Sequence, residues 1–236
     1  MKSERTDLRF FLTPEHPCSY LHDRQAKTLF LDPRETITAD LYSRLSNLGF
    51  RRSGSHLYRP QCGGCAACIP TRIPVTQFAP DRSQRRTARR NRDLRFDVTE
   101  AVFSPAAYVL YERYIAGRHR DGDMYPASED QFRSFLLSPW SSTWFLCAWL
   151  DNRLVAVGVF DRLGNGLSAV YTFFDPGLDS RSLGTQMILE EINLCRALQL
   201  PYLYLGYWIR DSEKMQYKTR FRPVQLLVNG RWVDLP

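Results

Sequence analysis

Apolar residues recur at helical spacing at Ile37, Leu41, Leu45 and Leu48, with Thr36 or Thr38 placed to cap the turn and Gly49 to stop it. An extended start precedes this amphipathic helix. The pattern then changes: residues 50–59, interrupted by Ser53-Gly54-Ser55, read as a hairpin, a glycine-rich loop follows, and residues 71–77 resume a strand. Residues 83–93 hold good helix formers and no Pro or Gly, so Asp81 or Ser83 is expected to cap a short charged helix. Ser104-Pro105 opens a helix running to about residue 118, and Ser128 with Gln131 signals the start of another. Residues 143–150, 153–160 and 167–174 are rich in Val, Phe, Trp and Tyr and are joined by Asp151-Asn152 and Gly164-Asn165-Gly166 turns, the pattern of a β-meander. Asp175-Pro176-Gly177 ends it. A long helix over residues 182–200 carries Leu183, Met187, Leu189, Ile192, Leu194 and Leu198, and Pro201 opens a strand over residues 202–208.

With 236 residues, 44% hydrophobic and 24% charged, the chain can bury a core without disulfide or metal staples. Its first residues lack an apolar signal core, and no run approaches the roughly 18 to 20 apolar residues that span a bilayer, so the expectation is a cytoplasmic protein with no membrane partner. Lys and Arg outnumber Asp and Glu by 32 to 25, a net charge of +7. The excess is clustered. Arg82, Arg85, Arg86, Arg89, Arg90, Arg92 and Arg95 lie within fourteen residues, and on a helix the first five share one face. Such a stripe is either a solvated surface or a track for phosphates; unbalanced like charges at i, i+4 repel, and the guanidinium fork suits phosphate, so a nucleic-acid partner is favoured.

Three of the six cysteines form Cys62-Gly63-Gly64-Cys65-Ala66-Ala67-Cys68, two overlapping Cys-x-x-Cys steps. Thiolates so spaced can converge on a soft metal, and Cys18 is the candidate for a fourth ligand. The alternative is a turn lined with small residues. A structural zinc or iron–sulfur cluster is the candidate group, and no cofactor is required for chemistry. Cys147 and Cys195 sit among apolar neighbours and read as core.

The order helix pair, three-strand meander, helix, strand resembles an acetyltransferase-type (GNAT) domain. At the start of its last helix stands Arg181-Ser182-Leu183-Gly184, a turn able to present backbone N–H groups to phosphate. Gln186 occupies a place where coenzyme A sites have a small residue, which leaves room for a different donor. The expected fold is α+β: a small N-terminal cysteine-bearing unit (1–80), a basic linker helix (81–96) and a GNAT-like domain (97–236).

Several segments together resemble the arginyl/leucyl-tRNA–protein transferase family: Cys18-Ser19-Tyr20-Leu21, Gly49-Phe50-Arg51-Arg52-Ser53, Tyr58-Arg59-Pro60, Ser83-Gln84-Arg85-Arg86, Asp175-Pro176, Ser182-Leu183-Gly184-Thr185, Tyr204-Leu205-Gly206-Tyr207-Trp208, Lys214-Met215-Gln216-Tyr217-Lys218 and Phe221-Arg222-Pro223. Length and the cysteine pattern are similar to its compact bacterial branch, the aspartate/glutamate leucyltransferases. The resemblance implies leucyl-tRNA as donor, proteins with N-terminal Asp or Glu as acceptors, and a place in the N-end rule degradation pathway.

Aminoacyl transfer needs a neutral attacking amine, donors for the developing oxyanion and precise placement of both substrates. Tyr207, Tyr217 and Lys218 are expected at the reaction centre. Arg82, Arg85, Arg86, Arg89, Arg90, Arg181 and Gly184 are expected to bind tRNA. An acidic acceptor side chain calls for a cation, for which Arg52, Arg72, Lys214 and Arg222 are candidates. Competing readings are a coenzyme A-dependent N-acetyltransferase, a metal-dependent nucleic-acid-binding module, and arginyl in place of leucyl transfer.

Overall fold

The structure, a computed structural model, describes residues 8–235. Along the chain run β1 (Phe10–Leu12), β2 (His16–Pro17), β3 (Gln25–Ala26), β4 (Thr28–Leu31), α1 (Ala39–Asn47), β5 (Arg51–Ser53), β6 (His56–Pro60), β7 (Ile69–Pro74), α2 (Arg82–Arg90), β8 (Arg95–Glu100), α3 (Pro105–Arg118) and α4 (Glu129–Leu136). There follow β9 (Thr143–Leu150), β10 (Arg153–Leu163), β11 (Gly166–Phe174), α5 (Leu183–Ala197), β12 (Tyr202–Trp208), β13 (Gln225–Val228) and β14 (Arg231–Asp234), with 3-10 segments at Pro176–Arg181 and Glu213–Arg220. The fold is mixed α+β around a large mixed sheet.

That sheet has eight strands in the order β14-β13-β7-β12-β11-β10-β9-β8. Strand alternation explains why its centre is so apolar. In β9, Phe145 and Cys147 face one layer while Leu146 and Ala148 face the other. The first layer is α3 and α4, contributing Leu110, Tyr111, Ile115, Phe132 and Leu136. The second is α5, contributing Leu183, Met187, Ile188, Ile192 and Cys195. Cys147 and Cys195 are buried in these layers, as their neighbours in sequence suggest.

A four-stranded sheet, β1-β4-β6-β5, carries α1 beside it. Thr38 caps α1 through its side chain, and Gly49, at φ +89, turns the chain into β5. The core under α1 is shared between the two sheets, with Leu41, Tyr42 and Leu45 against Leu163 and Tyr204. Residues expected to form a separate N-terminal unit also supply β7, an inner strand of the large sheet, antiparallel to both β12 and β13. The linker helix is α2, capped by the reciprocal Asp81 and Gln84 bonds, while Arg95 already begins β8.

The position of the functional cleft follows from one irregularity. β11 and β12 pair in parallel for only three residues, Gly166 to Ser168 against Tyr202 to Tyr204, and then part. Each strand is irregular where they separate. Val170 is the extra residue of β11 opposite the Val159–Phe160 step of β10, and Leu205 is the extra residue of β12 opposite the Arg72–Thr71 step of β7. Bulges bend strands and increase twist, so two of them at one height open a wedge in the sheet.

Candidate active-site cleft

The wedge opens into a cleft of ≈ 1480 Å³ bordered by β11, the start of α5, the end of β12, the 213–220 segment and the chain around Cys18 to Tyr20. Arg51 reaches into its apex from β5. Its Nη1 donates to Ser168 Oγ at 2.9 Å and its Nη2 to the Ala169 carbonyl. Gly206, at φ +80, makes this approach possible: a Cβ there would stand 3.3 Å from Arg51 Nε. Glu191 of α5 is also near the apex. It is wholly buried, neither carboxyl oxygen has a hydrogen-bond partner among the described residues, and burial pushes its pKa up to about 8 against the opposing charge of Arg51.

Lys218 and Tyr217 enter from the 213–220 segment. Lys218 is buried, and its Nζ donates to the Tyr207 carbonyl at 2.6 Å. Loss of hydration, reinforced by the Arg51 charge, brings its pKa down to about 7. Tyr217 lines the cleft, is 42% exposed and makes no hydrogen bond with another described residue. Tyr207 differs from Tyr217 in one decisive respect. Its single O–H is engaged with the Gly49 carbonyl at 2.9 Å, so it is not free to serve an oxyanion in this arrangement.

The 3-10 segment Pro176–Arg181, which leads into α5, is capped by Asp175. Its carboxylate accepts from Gly177 N at 3.0 Å, from Arg113 Nη2 at 3.1 Å and from Arg153. Burial opposes that charge, and the Gly177 N–H with the two guanidinium groups outweighs it, holding the carboxyl below its ordinary range. Ser182, Leu183, Gly184 and Thr185 then border the cleft. Arg181 is joined bidentately to Asp93, at 2.8 Å for both bonds, and Asn91 Nδ2 donates to the Arg181 carbonyl at 2.9 Å, so the end of α2 is stitched to this turn.

On α2 itself, Gln84, Thr87 and Asn91 face inward while Arg82, Arg85, Arg86, Arg89 and Arg90 are all exposed. None of the five forms an ion pair among the described residues. At the end of this basic face Arg90 donates to the Ser180 carbonyl, in the turn that leads to Ser182 at the border of the cleft.

Of the arginines and lysine expected to recognise an acidic acceptor, Arg52 and Lys214 line the cleft and Arg72 and Arg222 lie outside its lining. Arg52 is fully buried and paired with Asp161. Arg72 is 7% exposed, stacked 3.6 Å over Tyr202 and 4.3 Å from Trp232, with Nε donating to Gln225 Oε1 at 2.8 Å. Arg222 donates to the Leu235 carbonyl at 2.6 Å. Lys214 borders the cleft. Arg51, which sequence reasoning passed over in favour of Arg52, stands at the apex. Both arginines line the cleft, and pairing separates them: Asp161 takes the charge of Arg52, while Arg51 has only the uncharged Ser168 and Ala169 as hydrogen-bond partners.

Cys18, Cys62, Cys65 and Cys68 line a second pocket of ≈ 220 Å³, which shares Cys18, Ser19, Tyr20, Tyr58 and Tyr207 with the cleft. Burial, and then the three neighbouring thiols, push Cys68 up to about 12. Among the described residues no three His, Cys, Asp or Glu side chains converge closely enough to hold a metal ion as they stand.

Comparison with known proteins matches both halves of the chain. Residues 16–86 fit the family model for the N terminus of arginine-tRNA-protein transferase, and residues 106–228 that for its C terminus. The aspartate/glutamate leucyltransferase of Hahella chejuensis is 54% identical over 235 residues, covering 100% of both chains. That of Marinobacter nauticus is 53% identical over 235 residues, covering 100% of this chain and 99% of its own. Among solved structures, a C-terminal domain ascribed to a lysylphosphatidylglycerol synthetase from Agrobacterium fabrum superposes with TM-score 0.51 at 13% identity over 82% of this chain. L-PGS from Bacillus licheniformis gives 0.52 at 10% identity over 71%. This chain spans 62% and 58% of those two longer chains, and the likeness is one of fold.

Proposed function

The chain belongs to the arginine-tRNA-protein transferase family, and from that premise we propose that it moves leucine from leucyl-tRNA to the N-terminal amine of proteins beginning with Asp or Glu. The observation that carries this reading is the 54% identity to an aspartate/glutamate leucyltransferase along the whole chain. The reaction marks its protein products for the N-end rule pathway, in the cytoplasm. Among the described residues no helix is long and apolar enough to cross a membrane.

Residues 97–236 act as a GNAT-like transfer domain in which the opened wedge between β11 and β12 receives the aminoacyl end of the tRNA. Charged tRNA lies with its phosphates along Arg82, Arg85, Arg86, Arg89 and Arg90, while the α5 start, with Gly184, takes the phosphates nearest the ester. Arg181 holds the turn through Asp93.

In the chemical step the acceptor α-amine attacks the ester carbonyl carbon, a C–N bond forms, and the C–O bond to the ribose breaks. Lys218, uncharged in an appreciable fraction at neutral pH because its pKa is about 7, takes the proton that the attacking ammonium must lose. The same proton then passes to the departing ribose oxygen. The oxyanion is met by backbone N–H groups at the Val170 bulge and by the Tyr217 hydroxyl. Tyr207 positions Lys218 through its carbonyl.

Cys18, Cys62, Cys65 and Cys68 suit a structural zinc or iron–sulfur cluster by the chemistry of the donor set, four thiols around one pocket. Bound there, such a group would tie the chain at Cys18 to the 62–68 loop, and no step of transfer runs through it. Elemental analysis of purified protein tests this: bound zinc or iron supports it, and metal-free protein of full activity contradicts it.

The donor is tested by offering leucyl-tRNA, arginyl-tRNA and acetyl-CoA separately with a peptide beginning with Asp. Consumption of leucyl-tRNA alone supports the reading; acetylation of the peptide overturns it.

A further inference from the structure

Arg51 is a buried cation with no anion to match it. It is 9% exposed, both of its hydrogen-bond partners are uncharged, and it forms no ion pair among the described residues. Other arginines behave differently: Arg52 pairs with Asp161, Arg181 with Asp93, and Arg113 and Arg153 share Asp175. Removing a guanidinium from water without a counter-charge is costly, and a fold that retains one at the end of a cleft has a place for an anion.

Neighbouring groups leave that place open. Lys218 lines the same cleft as Arg51, whose charge helps to depress its pKa, so a second nitrogen base shares the cleft with the guanidinium. Glu191, the buried acid facing Arg51, is held largely protonated at neutral pH by its burial and leaves the guanidinium uncompensated. Gly158 makes room for that carboxyl, since a Cβ there would stand 3.0 Å from Glu191 Oε1. Of the five guanidinium N–H groups, two are used on Ser168 and Ala169, which leaves three for a ligand.

We propose that Arg51 binds the side-chain carboxylate of the acceptor's first residue and thereby selects Asp and Glu. This rests on the acceptor class proposed above. In such a residue the α-amine and the carboxylate are only a few bonds apart, so one residue can bring its amine to Lys218 and its carboxylate to Arg51. Neither leucine nor its ester linkage carries an anion, and the tRNA phosphates have the exposed face of α2. A planar carboxylate also matches the remaining guanidinium fork. An Asn or Gln side chain has the same shape but no charge, and leaves Arg51 unpaired.

The test uses peptides differing only in a first residue of Asp or Asn, with wild-type protein and the Arg51→Gln and Arg51→Lys variants, each checked for a native thermal transition. Binding is read by fluorescence anisotropy without tRNA, and transfer by labelled leucine. Wild type should bind the Asp peptide about ten- to a hundredfold more tightly than the Asn peptide, as expected for loss of a charged hydrogen-bonded pair. Arg51→Gln should bring that ratio near one, chiefly through KM, and Arg51→Lys should restore part of it. Should Arg51→Gln fail to fold, Ser168→Ala, which frees the guanidinium from one anchor while keeping its charge, should lower the ratio with little change in Asn-peptide binding. An unchanged ratio in the folded variant overturns the assignment, as does an equal loss on both peptides. Absence of leucine transfer by wild type counts instead against the proposed reaction, while the binding ratio still decides the role of Arg51.

Discussion

Arg52 Nε donates to Asp161 Oδ2 at 2.7 Å, with both side chains fully buried, and the pair joins the small sheet to the large one. The same carboxylate accepts from Tyr42 Oη at 2.6 Å and Thr143 Oγ1 at 2.7 Å, so its charge is fully engaged. Replacing Arg52 with Ala strands a buried carboxylate and should destabilise the fold by about 3–5 kcal/mol. Denaturant unfolding checks this; a loss below about 1 kcal/mol would remove the pair from its scaffold role.

Transfer should rise with pH through about 7 as Lys218 loses its proton. Lys218→Met should lower the rate by about 10² to 10⁴ and abolish that limb of the profile. Measuring kcat against pH in both proteins separates a base from a packing residue, because a residue that only packs would leave the limb in place.

Glu191 should make stability fall as pH rises. Its folded pKa, about 8, lies above the ordinary value of 4.5, so the native state holds the extra proton between those limits, and its stabilising share is lost as pH climbs through that window. Glu191→Gln removes the titration. Melting temperatures taken from pH 5 to 8.5 should show the variant gaining on wild type as pH increases; a constant difference would contradict an uncharged, buried Glu191.

Arg85→Ala, Arg86→Ala and Arg89→Ala combined should weaken tRNA binding and flatten its dependence on salt, because each phosphate no longer neutralised releases fewer counterions. An unchanged slope would return the exposed face of α2 to plain solvation.

Much of this architecture was legible in the sequence for physical reasons that act locally. The Thr38 and Ser128 caps, the Asp151-Asn152 turn and the buried strands of the meander are set by neighbours a few residues away, and each stands where spacing predicts. The turn at Asn229-Gly230, both at positive φ, carries an equally local signal for the β13–β14 hairpin, which the sequence expectations lacked. Other features depend on partners far along the chain. β7 enters the large sheet between β12 and β13, a pairing across more than a hundred residues that periodicity cannot announce. Arg51 and Arg52 illustrate the same limit at the site: two identical buried side chains in succession become a cation without an ion pair among the described residues and a paired strut, decided by Ser168 on one side and Asp161 on the other. Tyr207 and Tyr217 likewise part company only once the Gly49 carbonyl is seen to take the first hydroxyl.

Donor, acceptor and site of modification are read together in the mass of the product formed when purified protein meets leucyl-tRNA and peptides beginning with Asp, Glu or Lys. One leucine should be added at the N terminus of the Asp and Glu peptides, and none to the Lys peptide. Equal addition to all three, or no addition to any, would contradict leucyl transfer to acidic N termini.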